Sequence, residues 1–197
     1  MAEIKSTMQL VLERAARMGV ASADELHKEG SQKKGMQLAA DYLANGEADL
    51  AKLLQAEPAE SQKSLREGMI TSLLRNLFLP RDEDGEKRLV RAMQGLIELN
   101  KTKAEVASLC EKLKGIIGQY SQHRSQLYEQ LKEQLRAQIQ QILAREASGA
   151  RVDASKIDPT VEPRFKEEWA RLEWELNSQY GQAIEQYRME LRKLAGV

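Results

Sequence analysis

Residues 163–194 read PRFKEEWARLEWELNSQYGQAIEQYRMELRKL, and this stretch decides the fold. Phe165, Trp169, Leu172, Leu176, Tyr180, Ala183, Tyr187, Leu191 and Leu194 are spaced 4-3-4-4-3-4-4-3. Apolar residues three and four apart put one stripe on one face of a helix. The stripe repeats every eleven residues, with Phe165, Leu176 and Tyr187 in one row and Trp169, Tyr180 and Leu191 in another. Eleven residues over three turns predict a nearly straight or slightly right-handed pairing with a partner helix.

The partner stripe lies earlier in the chain. No proline interrupts residues 86–147, and the spacing predicts a single helix there, roughly 90 Å long at 1.5 Å per residue. Gly115 and Gly118 are the places where it would bend. Ile117, Tyr128 and Ile139 form one row, and Tyr120, Leu131 and Ile142 the next. Folding the chain back so that paired residue numbers total 311 sets Ile142 on Trp169, Ile139 on Leu172, Leu135 on Leu176 and Leu131 on Tyr180. It also sets Tyr128 on Ala183, Tyr120 on Leu191 and Ile117 on Leu194, with Arg124 over the Tyr187 ring. Residues 101–145 carry eight bases against four acids, and residues 160–197 carry seven acids against six bases, so charge favours the same pairing. The expectation is an all-α chain whose residues 82–197 form a long antiparallel helical hairpin, coiled-coil-like. Its loop falls near 148–162, marked by Ser148-Gly149, Asp158-Pro159 and Pro163.

Residues 1–81 read differently. Met8, Val11, Leu12, Ala15 and Ala16 form a short stripe ended by Gly19, and Ser22 with Glu25 has the spacing of a capping box. Met36, Ala39, Ala40 and Leu43 mark a weakly amphipathic segment up to Asn45-Gly46. A short helix carries Leu50, Leu53 and Leu54 as far as Pro58. Leu65, Met69, Ile70, Leu73, Leu74 and Leu77 then form a cleaner stripe before Pro80. Such elements predict a small N-terminal helical bundle.

Composition narrows the function classes. Thirty bases balance thirty acids, whereas proteins that grip phosphate backbones carry a positive surplus. One cysteine, Cys110, excludes an intrachain disulfide and fits a reducing, cytoplasmic setting. No apolar run reaches the roughly 20 residues of a membrane span, so a membrane is not expected as a partner.

Catalytic groups are sparse. Neither His27 nor His123 has a carboxylate or second histidine at metal-binding helical spacing, and both read as surface residues. Cys110 has Lys112 and Lys114 nearby but no histidine to activate it. Gly30-Ser31-Gln32-Lys33-Lys34-Gly35 lacks both the Lys-Ser/Thr ending and the preceding strand of a phosphate-binding loop. Asp82-Glu83-Asp84 and Glu167-Glu168 read as acidic first turns of helices. No catalytic, cofactor or metal site is assigned, and no cofactor is expected.

Two features point to binding instead. Gln126, Gln130, Gln134 and Gln138 form a row at intervals of four, suited to a polar helix–helix contact. Trp174 falls between Leu172 and Leu176, about 200° from either at 3.6 residues per turn, so the hairpin seam cannot cover it.

The opening Ile4-Lys5-Ser6-Thr7, the stretch Leu74-Arg75-Asn76-Leu77 leading to Pro80, and Arg151-Val152-Asp153 leading to Asp158-Pro159 and Trp169 carry a resemblance. On these the chain resembles an uncharacterised family of bacterial helical proteins known only as a domain of unknown function. The resemblance implies a bacterial cytosolic protein and assigns no catalytic residue. The long paired seam and the lack of convergent catalytic groups give the expected function as non-enzymatic: a helical interaction or scaffold protein that self-associates, with another copy of itself as partner. The alternatives are a metal-dependent enzyme using carboxylates of the N-terminal bundle, and a nucleic-acid-associated protein using the basic face of residues 101–145.

Overall fold

The computed structural model describes Met8 and residues 23–46, 48–146 and 158–197. Among these residues there are six α-helices and no strand: α1 (Ala23–Asn45), α2 (Leu50–Gln55), α3 (Ala59–Arg75), α4 (Glu83–Leu99), α5 (Lys103–Glu146) and α6 (Pro163–Ala195). A 3-10 turn, Pro159–Val161, precedes α6. The all-α class expected from the sequence is the class observed. The stripe beyond Met8, the Ser22 cap and the Ser148-Gly149 cap lie outside the described residues.

The chain forms two compact units, Met1–Ser72 and Leu73–Val197. In the first, α1 and α3 cross antiparallel at two glycines. A Cβ added to Gly35 would lie 2.0 Å from the Leu65 carbonyl oxygen, and one added to Gly68 would lie 2.0 Å from that of Gln32. The two contacts are reciprocal, so each helix rests its backbone directly on the other and Cα–H groups face carbonyls. Leu65, Met69 and Ile70 on α3 and Ala39, Tyr42 and Leu43 on α1 are buried. Tyr42 joins this face, and Ala40, expected on it, is exposed. The segment Gly30–Gly35 is helical throughout, and its second glycine serves the crossing. Asp49 caps α2 by accepting the Lys52 N–H at 2.9 Å, and that bond holds its carboxyl below the usual carboxylate range.

The second unit corrects the expectation of one helix over 86–147. The chain leaves α4 at Asn100, whose backbone is extended, and re-enters helix at Lys103. Buried Asn100 donates through Nδ2 to the Leu96 carbonyl at 2.6 Å, satisfying an acceptor at the helix end. Thr102 and Glu105 then have the spacing of a capping box, the pattern with which helices begin. α4 packs back on α5: Glu86 near its start shares a pocket with Tyr120, Arg124 and Tyr128. Leu89, Ala92, Met93, Leu96 and Leu99 of α4 are buried, as are Val106, Cys110, Leu113, Ile117 and Tyr120 of α5.

α5 and α6 do pack as an antiparallel pair, but not in the expected register. Tyr120 bonds Asn177, Arg124 bonds Glu173, and the Tyr128 ring meets that of Trp169, so each pair's numbers total 297. The expected total of 311 is off by fourteen residues. Four helical turns are about 14.4 residues, so the slip leaves nearly the same face inward, and the apolar stripe alone does not distinguish the two. Leu131 and Leu135 accordingly cluster with Phe165, Trp169 and Leu172, rather than with Tyr180 and Leu176. Tyr180 lies 5.4 Å from the Tyr120 ring. Ile142, expected against Trp169, is 54% exposed, and Ile139 is only half-buried. Arg124 lies over Trp169 at 5.4 Å instead of over Tyr187.

The eleven-residue rows also fail to describe the whole of α6. Its buried positions are Phe165, Leu176, Ile184, Leu191 and Ala195. Ile184 was outside the expected seam, whereas Ala183, Tyr187 and Leu194 are half-buried. The inward face turns here because the segment before α4 lines this flank of α6, where Arg188 Nη2 donates to the Leu77 carbonyl at 2.6 Å. A left-handed Gly196 closes the helix, its N–H reaching Lys193 and that of Val197 reaching Arg192.

The crossing of α1 and α3 makes a sharp test. Gly35→Ala and Gly68→Ala should each cost at least about 2 kcal/mol, because backbone rather than a flexible side chain must move. Gly30→Ala, on the same helix with nothing within 4 Å of its added methyl, should stabilise by up to about 1 kcal/mol. Denaturant unfolding followed by circular dichroism reads all three, and equal effects at 30 and 35 would contradict the crossing.

Candidate functional site

The polar groups of the second unit converge where α5, α6 and the segment before α4 meet. Asp82 begins α4, accepting the Gly85 N–H at 2.7 Å, which is the role of an N-cap. Glu83 and Asp84 follow in its first turn and lie within 4 Å of Lys87. This cluster therefore stabilises a helix start. Among the described residues no group of three or more His, Cys, Asp or Glu stands together as metal ligands do.

Above that helix start lies a cleft of about 1020 Å³. Tyr120 and Arg124 of α5 form one wall, Asn177, Gly181 and Ile184 of α6 another, and Phe78, Leu79 and Arg81 a third. Tyr120 Oη donates to Asn177 Oδ1 at 2.7 Å. Arg124 donates through Nε and Nη2 to Glu173 Oε1 at 2.9 and 2.6 Å. Burial pushes the Tyr120 hydroxyl up in pKa, while Arg124 and Arg81 pull the other way. Arg188 pairs with Glu185, and its Nε is buried with no hydrogen-bond partner among the described residues.

The residues singled out from the sequence do not assemble into one patch. Trp174 stands on the outer face of α6, 70% exposed. In the observed register it is level with position 123 of α5. Gln126, Gln130 and Gln134 are exposed and Gln138 half-buried, and their row runs along α5 away from that level. His27 is exposed, and half-buried His123 approaches the Tyr180 ring at 6.2 Å, closer to the seam than expected. Of the bases at 101–145, Lys114, Lys132 and Arg136 are paired with acids one turn earlier on their own helix. The cleft itself escaped sequence reasoning because Arg81, Arg88, Asn177 and Arg188 interrupt apolar periodicity. No short motif joins them.

Cys110 faces inward between Val106 and Leu113. Burial pushes its thiol up to about 11, with Lys114 opposing only in part, so it is protonated and unreactive at neutral pH. Because the folded pKa is raised, the native state holds its proton more tightly than the unfolded chain. The resulting stability is complete below about pH 8.5, the value for a free thiol, and is lost as pH rises towards 11. Cys110→Ala should therefore flatten the alkaline fall in stability, measured as denaturation midpoint against pH. A profile unchanged by the substitution would contradict the burial.

None of the helices, among the described residues, is long and apolar enough to cross a membrane. No curated protein and no solved structure matches the chain. A family of unknown function does, over residues 51–193, from α2 to the last turn of α6. That match takes in most of the chain, including every wall of the cleft, and the chain belongs to this family, DUF6657.

Proposed function

We propose that the protein is a non-enzymatic helical interaction protein that self-associates through the outer face of α6, centred on Trp174. The observation that carries this reading is the 70% exposure of that indole on a well-formed helix. Tryptophan is enriched at the centres of interfaces, where its large area leaves water. One turn to either side stand Ala170 and Ser178, both small and exposed. Their size leaves room for a second helix to come close on each flank of the ring. A second copy supplies such a surface: two α6 helices crossing antiparallel at Trp174 would lay each indole on the small-residue flank of the other. That arrangement is isologous and closes as a dimer. The α5–α6 pair acts as the rigid support that holds this face in place.

Light scattering on the full chain tests the proposal. The unsubstituted protein should run as a dimer or larger, and Trp174→Ala should shift it to a smaller species with helix content retained. A monomer at all concentrations, or an assembly that survives the substitution, would overturn the proposal.

A further inference from the structure

We propose that the cleft between α5, α6 and the segment before α4 binds a small organic anion, an apolar body carrying a carboxylate or phosphate, with its acidic head held by Arg81 and Arg88. The proposal does not rest on self-association.

The lining carries four arginines and four acids, so the sign of the ligand follows from which of them are already engaged. Glu173 is neutralised by Arg124, Glu185 by Arg188, and Asp84 lies 3.7 Å from Lys87. Asp82 keeps its charge, but its carboxylate is held by the Gly85 N–H at the positive N-terminal end of α4. Arg81 and Arg88 remain: both line the cleft, and neither makes a hydrogen bond or ion pair with any described residue. Two guanidiniums line one concavity without a partner among the described residues, and each is a planar fork of donors suited to a carboxylate or a phosphate. Arg81 reaches far enough in to act electrostatically on the Tyr120 hydroxyl.

The rest of the cleft decides the body. Phe78, Leu79 and Ile184 give it apolar walls, and nothing lies within 4 Å of a Cβ built on Gly181. Its volume of about 1020 Å³ suits a compact organic molecule, because ligand sites of this kind combine apolar walls with a few converging polar groups. Asn177 accepts from Tyr120 through its oxygen, so its amide N–H groups are available to a ligand oxygen.

The test is a titration of the isotope-labelled full chain, followed by NMR at low salt, with phenyl phosphate and benzoate as probes and phenol as the uncharged control. The Gly181 amide and the Asn177 side-chain amide should shift saturably with at least one acid, and the tighter acid identifies the head group. Arg81→Gln and Arg88→Gln, both at exposed positions, should each weaken binding at least about tenfold, the effect of removing a charge-assisted contact. Phenol should leave the spectrum unchanged. The proposal is overturned by an absence of shifts up to about 10 mM acid, beyond the range of specific binding. It is equally overturned by undiminished affinity in the double variant, or by phenol acting as the acids do.

Discussion

The second unit depends on the pairing of α5 with α6 and on how its register is fixed. Apolar burial drives the two helices together but does not choose among slips of whole turns, because burial is non-directional. The choice is made by three side chains on α5. Tyr120 is 3% exposed, so its hydroxyl needs a partner, and Asn177 supplies one. A slide to the alternative register would set Tyr120 against Leu191, leaving the hydroxyl unsatisfied at a cost of about 1–3 kcal/mol. Tyr128 meets both Phe165 and Trp169 edge-on, at 5.3 and 5.0 Å between ring centres. Such pairs add roughly 0.5–1.5 kcal/mol beyond the area they bury. The Arg124 and Glu173 side chains are 41% and 32% exposed, so their pair contributes little net stability and serves mainly to specify alignment.

Register in turn creates the site. With α6 drawn back by four turns, its C-terminal half lies beside the segment that precedes α4, and Arg188 reaches the Leu77 carbonyl. The cleft opens in the angle between these elements because α4 and α6 both pack on α5. Its polar walls are therefore residues that also align the helices, and Asn177 and Glu173 belong to both sets. The same alignment places Trp174 outward beside Asn177 and leaves Ile142 beyond the start of α6.

Much of this was legible in the sequence where periodicity is the signal. The stripe from Leu65 to Leu77 is buried at each of its apolar positions, and the last helix, Pro163–Ala195, spans the quoted stripe with one residue more. What periodicity missed has physical causes. The break at Asn100 is brief, and the Thr102–Glu105 capping spacing was its one local sign. A slip of fourteen residues preserves a helical face, so Leu135 could be set against either Leu176 or Phe165 by apolar pattern alone. Gly35 and Gly68 look like weak points of helices until a second backbone is seen resting on each. The cleft is built from polar residues, and an apolar count passes over them.

The register is the central claim, and proton–proton cross-relaxation between aromatic rings in the folded protein tests it most directly. The account predicts strong NMR cross-peaks linking the Tyr128 ring to the Trp169 indole and the Tyr120 ring to that of Tyr180. Cross-peaks from Tyr128 to the Ala183 methyl and from Tyr180 to Leu131, with none between Tyr128 and Trp169, would mean that the helices pair four turns away and would contradict it.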